Sequence, residues 1–282
     1  MRVAYLGPAG TFTEEALRAS APDGVEELPY ASVYEAVMAV QNDDVERAVV
    51  PIENSIEGSV NATLDALAGE ASAVRIAGEL VLEIEHCLVA RDSLELDRIT
   101  RVVSHPQATA QCAGFLRERL PGAERVTVAS TAEAVRTVAE TDEPWAALGS
   151  RLAASLYGCH VLAEGVEDHP HNQTRFVWLA HESALPPLPG DQPLKTSIAF
   201  SGFNDDSPGA LVSILSELSD RGINLSKIES RPRRVQLGHY IIFADLDGGL
   251  DDPAVSEGLD AVAKKVRELR VLGSYPAAKG SM

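Results

Sequence analysis

Ala31-Ser32-Val33-Tyr34-Glu35-Ala36-Val37-Met38-Ala39-Val40 returns 98 residues later as Ala129-Ser130-Thr131-Ala132-Glu133-Ala134-Val135-Arg136-Thr137-Val138, with six of the ten positions identical. The same offset, without a gap, pairs Pro8 with Pro106, Thr11 with Thr109 and Ala48 with Ala146. The matched features are structural. Ser32 with Glu35 and Ser130 with Glu133 are both S-x-x-E capping boxes, which open a helix by satisfying its first free N–H groups. Apolar, strand-like runs precede the turns at Pro8 and Pro106. Strands alternating with helical patterns from Val3 to Leu179 mark an α/β sheet protein. A duplicated α/β unit predicts two similar lobes with a cleft between them, a preferred place for a ligand.

Val74 to Ala90 is long and β-like and is expected to cross from lobe one to lobe two, with Arg175 to Leu179 crossing back. Glu182 to Lys195 carries Pro186, Pro187, Pro189 and Pro193. Proline fixes φ and breaks both kinds of ladder, so this stretch reads as a linker. Beyond it, Thr196 to Phe203 alternates as a strand. Ser207-Pro208-Gly209 opens a helix, with apolar residues at Leu211, Ile214, Leu215 and Leu218, and Gly222 ends it. Strands are expected at Ile223 to Ser230 and His239 to Leu246, a helix from Asp252 to Leu269, and a last strand from Arg270 to Tyr275. The order βαββαβ is a ferredoxin-like α+β unit.

The chain has 282 residues, 45% of them hydrophobic, enough for two or three cores. It has no apolar run long enough to span a membrane and no signal-peptide pattern at its start. Cys87, Cys112 and Cys159 are far apart and odd in number, which suits a reducing cytosol and argues against a disulfide framework. With 42 acidic and 24 basic residues the net charge is −18, a field that repels nucleic acid and anionic membranes. An anionic ligand therefore needs local positive potential from specific groups.

Three strand-to-helix turns can supply it: Gly7 to Glu14, Val49 to Val60 and Ser104 to Thr109. Glycines admit a ligand to the backbone, and helix N-termini present free N–H groups. Together they suit a small carboxylate-bearing ligand. A fourth polar stretch, His169-Pro170-His171-Asn172-Gln173-Thr174-Arg175, runs into the apolar Phe176-Val177-Trp178-Leu179. As a metal site it is poor: there is no H-E-x-x-H and no third ligand at defined spacing, so no metal is expected. No G-x-S-x-G, G-x-G-x-x-G or Walker A motif occurs, which removes the usual grounds for a hydrolase triad or a nucleotide. Asp245-Leu246-Asp247-Gly248 resembles a calcium loop, but its twelfth position is Ser256, so it reads as a solvated turn.

Gly-Pro-Ala-Gly-Thr-Phe at 7–12, Pro-Ile-Glu-Asn-Ser-Ile-Glu-Gly-Ser-Val at 51–60 and Asn-Gln-Thr-Arg-Phe at 172–176 resemble the motifs of prephenate dehydratases. Ser-Pro-Gly-Ala-Leu at 207–211 and Ile-Glu-Ser-Arg-Pro at 228–232 resemble the effector motifs of ACT regulatory domains. The resemblance runs in the family's order over essentially the whole chain, and because the sequence opens on the dehydratase strand, the chorismate mutase helix of bifunctional relatives is not expected. It implies a two-lobed, periplasmic-binding-protein-like catalytic domain over residues 1–181, with lobe one at about 1–77 and 162–180 and lobe two at about 78–161. The linker is then 182–195 and the ACT domain 196–276.

The implied activity is cofactor-free conversion of prephenate to phenylpyruvate, water and CO₂, in a cytoplasmic homodimer or homotetramer controlled by L-phenylalanine. By resemblance, Thr174 is the catalytic hydroxyl, Arg175 a charge partner and Phe176 an apolar wall. Arg175 either binds a carboxylate bidentately or pairs with Glu53 or Glu57. Thr11, Asn54, Ser55, Ser104, Gln107 and Thr131 are candidate substrate contacts, the alternative being capping and turn bonding. His105 is either a cleft acid or a turn residue, and His169 and His171 are surface or hinge residues. Gly209, Ala210, Leu211, Asn224, Glu229, Ser230, Arg231 and Pro232 are the effector residues that the resemblance implies. Two rival readings remain at this stage: the same chemistry on arogenate, and a non-catalytic two-lobed binder.

Overall fold

The duplication predicted from the sequence reappears as backbone pairing in a computed structural model, which describes residues 1–190, 192–203, 207–233 and 239–278. In the first lobe, β1 (Arg2–Leu6), α1 (Phe12–Ser20), β2 (Glu26–Tyr30), α2 (Val33–Gln41) and β3 (Arg47–Asn54) form a parallel unit. The short β4 (Gly58–Ser59), α3 (Asn61–Ala68) and the long β5 (Val74–Glu83) complete its first pass. The second lobe contains β6 (Cys87–Ala90), β7 (Arg101–Ser104), α4 (Pro106–Gln111), α5 (Ala113–Arg119), β8 (Glu124–Thr127), α6 (Thr131–Ala139), β9 (Trp145–Gly149), α7 (Arg151–Tyr157) and β10 (His160–Ala163). β11 (Gln173–His181) then returns to the first sheet.

The sheet orders are β2-β1-β3-β11-β5, with β4 on β3, and β10-β6-β9-β7-β8. In lobe one, Val3 pairs with Arg47, Ala4 with Ala48 and Tyr5 with Val49. In lobe two, Arg101 pairs with Trp145, Val102 with Ala146 and Val103 with Ala147, so every partner is displaced by the same 98 residues. The outer pair slips by one residue: Glu26 sits against Arg2, but Glu124 sits against Arg101. The serine half of each expected capping box forms, the Ser32 and Ser130 hydroxyls accepting from Glu35 N and Glu133 N, while the Glu133 carboxylate accepts from Ala129 N rather than Ser130 N.

The passage between lobes comes after Glu83, a few residues later than expected. β5 keeps pairing with β11 to its end, Gln173 lying opposite Glu83. The return comes after Ala163, because β10 pairs with β6.

The C-terminal unit is β12 (Leu194–Ser201), α8 (Ala210–Ser219), β13 (Leu225–Pro232), β14 (Tyr240–Asp247), α9 (Pro253–Ala263) and β15 (Glu268–Pro276). Its antiparallel sheet, ordered β13-β14-β12-β15, is the predicted ferredoxin-like arrangement. Two helix boundaries differ from expectation. α8 starts at Ala210, because Gly209 takes a left-handed φ of 82° and ends a tight turn in which Ala210 N donates to Ser207 O. α9 stops at Ala263, because Glu268 and Leu269 are drawn into pairing with Ser201 and Phe200 of β12.

One face of this sheet carries α8 and α9 over Ile198, Phe200, Ile214, Leu218 and Leu259. The other face lies directly on lobe one: Ala199, Phe243, Leu272 and Tyr275 share a core with Leu67, Ile76, Val177 and Leu179. Contact is so close at Gly273 that an added Cβ would lie 2.2 Å from the Ile76 carbonyl oxygen. The regulatory-type unit and the lobe carrying β11 thus share a continuous core.

Candidate active site

Between the lobes lies a cleft of about 340 Å³. Its walls are built largely from helix starts. The N-cap residues Thr11 of α1, Val60 of α3, His105 of α4 and Ser130 of α6 all line it. Helix N-termini carry partial positive charge and unpaired N–H groups. No Lys, Arg, Asp or Glu stands among the described lining residues; the polar ones are hydroxyls, amides and two imidazoles. A chain with a net charge of −18 has therefore kept its acidic residues out of this cleft. An anion bound here meets oriented dipoles rather than a compensating full charge.

At the cleft floor, Asn54 from the end of β3 holds the start of β11. Its Oδ1 accepts from the backbone N–H groups of Ile56 and Glu57, both at 3.0 Å. That leaves its amide nitrogen as the donor. It donates to Thr174 Oγ1 at 2.9 Å, to Asn172 Oδ1 at 2.8 Å and to Gln173 O at 3.2 Å. The Thr174 hydroxyl has accepted one bond, so its own proton is directed elsewhere, and Thr174 lines the cleft. Alternation along β11 places Phe176 on the same face, where it is buried beside Tyr5 and Val49 and also lines the cleft.

The same alternation turns Arg175 to the opposite face. Its guanidinium lies 2.7 Å from Asp245, 3.0 Å from Glu79 and 3.2 Å from Glu53. Burial works against its charge, but Asp245, Tyr275, Glu79 and Glu53 outweigh this and hold its pKa above the ordinary arginine value. Of the two readings open for Arg175, this geometry is the ion pair with Glu53, extended to two carboxylates not foreseen. Lys195 also bonds Glu79, at 2.9 Å.

Thr11, Gln107 and Thr131 line the cleft as expected, Thr11 while also capping α1. Ser55 does not line it. Its hydroxyl accepts from Gln173 N at 2.9 Å and ties the loop after β3 to β11. Ser104 is fully buried, its hydroxyl bonding Leu148 O at 3.4 Å. His105 caps α4, accepting from Gln107 N, and lines the cleft. His169 and His171 are exposed, His171 against Glu83, and among the described residues no group of three or more His, Cys, Asp or Glu could hold a metal.

Of the effector residues implied by resemblance, Gly209, Ala210 and Leu211 form the start of α8. Asn224 donates to Asp247 at 2.7 Å. Residues 229–232 do not share a face: β13 alternates, and Arg231 reaches back to form a two-pronged pair with Asp65 of α3, both contacts at 2.9 Å. Glu229 lies on the strand in the same phase as Arg231, Ser230 and Pro232 in the other.

Three further residues belong to the site: His86, Gln111 and Asn172. Gln111 was legible in principle, being four residues after Gln107 and so on the same face of α4. His86 sits in the crossing after β5 with no motif to mark it.

The lobes also touch directly. Ser150 Oγ donates to Gly10 O at 2.8 Å and Tyr157 to Ala9 O at 2.9 Å. Gly10 has φ +90°, and an added Cβ would lie 2.9 Å from Ala153 Cβ. Gly10→Ala is expected to cost about 1–3 kcal/mol in backbone strain and to lower turnover by displacing the α1 N-terminus. Denaturant unfolding and steady-state kinetics check this, and unchanged values in both would show the latch to be slack.

A two-lobed α/β domain whose charge-free cleft offers helix starts and an oriented threonine, joined to a ferredoxin-like sheet, fits the class of proteins that take up a small carboxylate between two lobes. Comparison with known proteins makes this specific. The family model for prephenate dehydratase matches residues 3–184, and that for the ACT domain matches residues 203–264. A prephenate dehydratase of Mycolicibacterium vanbaalenii is 41% identical, covering 97% of this chain and 90% of that protein. The crystal structure of a prephenate dehydratase from Arthrobacter aurescens in complex with L-Phe has a TM-score of 0.88 at 40% identity, covering 98% of this chain and 90% of that one. A structure described as a novel type of quorum quenching acylase is also similar, with a TM-score of 0.86 at 30% identity over 98% of both chains. This chain belongs to the prephenate dehydratase family: it is a hydro-lyase with a C-terminal ACT domain.

Proposed function

We propose that the cleft carries out decarboxylative dehydration of prephenate with Thr174 as the hydroxyl that handles the leaving group, and that phenylalanine acts through the ACT domain. The observation that carries the catalytic part is the bond from Asn54 to Thr174 Oγ1, which frees the threonine proton for a cleft ligand. In the reaction the bond between the ring and its carboxylate breaks, and its electrons enter the ring. The bond to the ring hydroxyl then breaks, and the hydroxyl leaves with one added proton as water. A threonine is too weak an acid to supply that proton alone, so Thr174 orients the leaving oxygen and relays a proton that solvent restores. Aromatisation supplies the driving force, and no cofactor is required.

The absence of a formal charge on the described lining fits this step. A guanidinium on the departing carboxylate would stabilise the ground state more than the transition state, in which that charge is dispersing. Thr11, Gln107, Thr131 and the helix starts are placed to bind the carboxylates. Ser55 and Ser104 act indirectly, by holding the loops that present the site.

The L-Phe complex of the Arthrobacter aurescens protein supports phenylalanine as effector here. In this reading Gly209 and Leu211 offer N–H groups at the start of α8 to its carboxylate, and Ala210, whose N–H is held by Ser207 O, shapes the turn. ACT pairing supplies the rest of the pocket: β13 is an edge strand, and Ile228 and Val212 are exposed apolar residues on this unit. A homodimer or homotetramer follows. The cysteines are all free, two of them buried, which suits a cytoplasmic enzyme.

Purified protein given prephenate at neutral pH, without metal or nucleotide, is expected to release phenylpyruvate at a rate that phenylalanine alters, from an oligomer by light scattering. A monomer in both conditions would remove the shared effector pocket. Turnover of arogenate but not prephenate would reassign the substrate. Acyl transfer is disfavoured by the cleft imidazoles, since His86 and His105 bond Gln111 and a helix N–H rather than a hydroxyl.

A further inference from the structure

His86 lies in the crossing between β5 and β6, only 3% exposed, with its ring against the edge of Phe12 at 5.4 Å between centroids. Its Nε2 lies 3.0 Å from Gln111 Oε1. The direction of this bond can be worked out from the other end of the network. Backbone N–H groups can only donate, and those of Ile56 and Glu57 fix Asn54 Oδ1 as an acceptor. Asn54 Nδ2 must then donate, which fixes Asn172 Oδ1 as its acceptor. Asn172 Nδ2 in turn donates to Gln111 Oε1 at 3.5 Å. Gln111 Oε1 is therefore an acceptor, and His86 carries its proton on Nε2. One orientation of every amide satisfies the chain from backbone to imidazole, and Thr174 hangs from its Asn54 link.

We propose that His86 is a positioning residue of the dehydratase site, closing the amide relay Gln111–Asn172–Asn54 that aims the Thr174 hydroxyl. This rests on the reading of Thr174 as the catalytic hydroxyl. The relay spans both lobes: Asn54 and Thr174 belong to the first sheet, and Gln111 to α4 of the second lobe. His86 is held from the other side through its backbone N–H, which donates to Glu167 at 2.9 Å. It also accounts for the first of two otherwise idle atoms. His86 Nδ1 and Gln111 Nε2 are buried without a hydrogen-bond partner. A bare Nδ1 is what a neutral imidazole leaves behind. Burial lowers the His86 pKa from 6.5, against the opposing influence of Gln111 and of Glu167, its nearest carboxylate. A protonated ring would place a cation at Nδ1 with no acceptor, and the relay works only while the ring is neutral.

The test compares His86→Leu and His86→Gln, with Thr174→Ala as reference, by kcat, KM, the pH profile of kcat/KM and thermal unfolding. His86→Leu is expected to lower kcat on the order of 10²-fold, with KM changed much less. His86→Gln sets an amide N–H near the place of Nε2 and is expected to recover at least tenfold of that loss. The wild type is expected to lose kcat/KM as pH falls below about 6, the region under the ordinary histidine pKa, and His86→Gln is expected not to. The inference is overturned if both variants keep wild-type kcat, if His86→Gln is no better than His86→Leu while both remain folded, or if the acid limb survives in His86→Gln. Should Thr174→Ala retain full turnover, the reading of the site itself fails. A dead Thr174→Ala beside an active His86→Leu overturns the His86 inference alone.

Discussion

Thr174→Ala lowers kcat for prephenate about 10²- to 10⁴-fold, the usual worth of a positioned proton-transfer group, while the protein stays folded. The second half of this expectation follows from how little is disturbed by removing the hydroxyl and its neighbouring γ-methyl. Asn54 Nδ2 loses one acceptor but keeps Asn172 Oδ1 and Gln173 O. Backbone pairing of Thr174 with Asn54 and Leu82 is untouched. The stability loss is about 1 kcal/mol, that of one hydrogen bond. Phenylpyruvate release and a thermal melt on the same sample separate the two effects. Thr174→Ser keeps the oxygen and should retain most of the rate unless the methyl group fixes the rotamer. A Thr174→Ala enzyme within tenfold of wild type would leave the cleft without its assigned hydroxyl. Prephenate would then have to expel water with helix starts and amides alone.

The lobes were legible because duplication prints itself twice. An S-x-x-E box and its apolar stripe recur at a fixed offset, and the β1–β3 and β7–β9 registers obey that offset to the residue. The ferredoxin-like unit was legible because its strands and helices switch period cleanly. What the motif obscured is which way each of its residues faces. Plain alternation along β11 puts Thr174 and Phe176 on the cleft face and Arg175 on the other. Motif resemblance groups Thr174, Arg175 and Phe176 as neighbours, whereas the pleat sends the middle one to the far side of the sheet. His86 was hidden for a different reason, and Asn172, though quoted in the motif, was given no role. Their work is done through hydrogen bonds to residues far away in the chain, and neither periodicity nor spacing encodes such a partner. The effector strand shows the same limit, since Ile-Glu-Ser-Arg-Pro reads as one motif and Arg231 is engaged by Asp65 of the catalytic lobe.

Arg175→Met is expected to be the most damaging single change to stability. The guanidinium sits among Asp245, Glu79 and Glu53 at the junction of the first sheet with the ACT sheet. Glu79 has no exposed side-chain surface, and Asp245 very little. Methionine fills a similar volume but withdraws the cation; Glu79 keeps Lys195 at 2.9 Å and the Ala278 N–H at 3.0 Å, and Glu53 keeps Lys227 at 2.8 Å. Leaving the buried Asp245 carboxylate without its cation costs about 3–5 kcal/mol, far more than the intact cluster contributes relative to an apolar replacement. Asp245 has a second bond, from Ser197 at 2.5 Å, and Ser197 also meets Tyr275 at 2.6 Å, so the disturbance should spread into β12 and β15. Burial raises the Tyr275 pKa well above 10, so its phenol stays neutral and cannot replace the lost charge relation. Urea unfolding measures the loss. Adding Asp245→Asn to Arg175→Met should return part of it by removing one orphaned charge. The kinetic outcome decides between the two roles first open to this arginine. A residue on the far face of β11 predicts that Arg175→Met, assayed where it is folded, keeps far more turnover than Thr174→Ala. Equal losses of kcat with the fold intact would instead require the guanidinium to reach the substrate, which the sheet does not allow unless β11 rotates on binding.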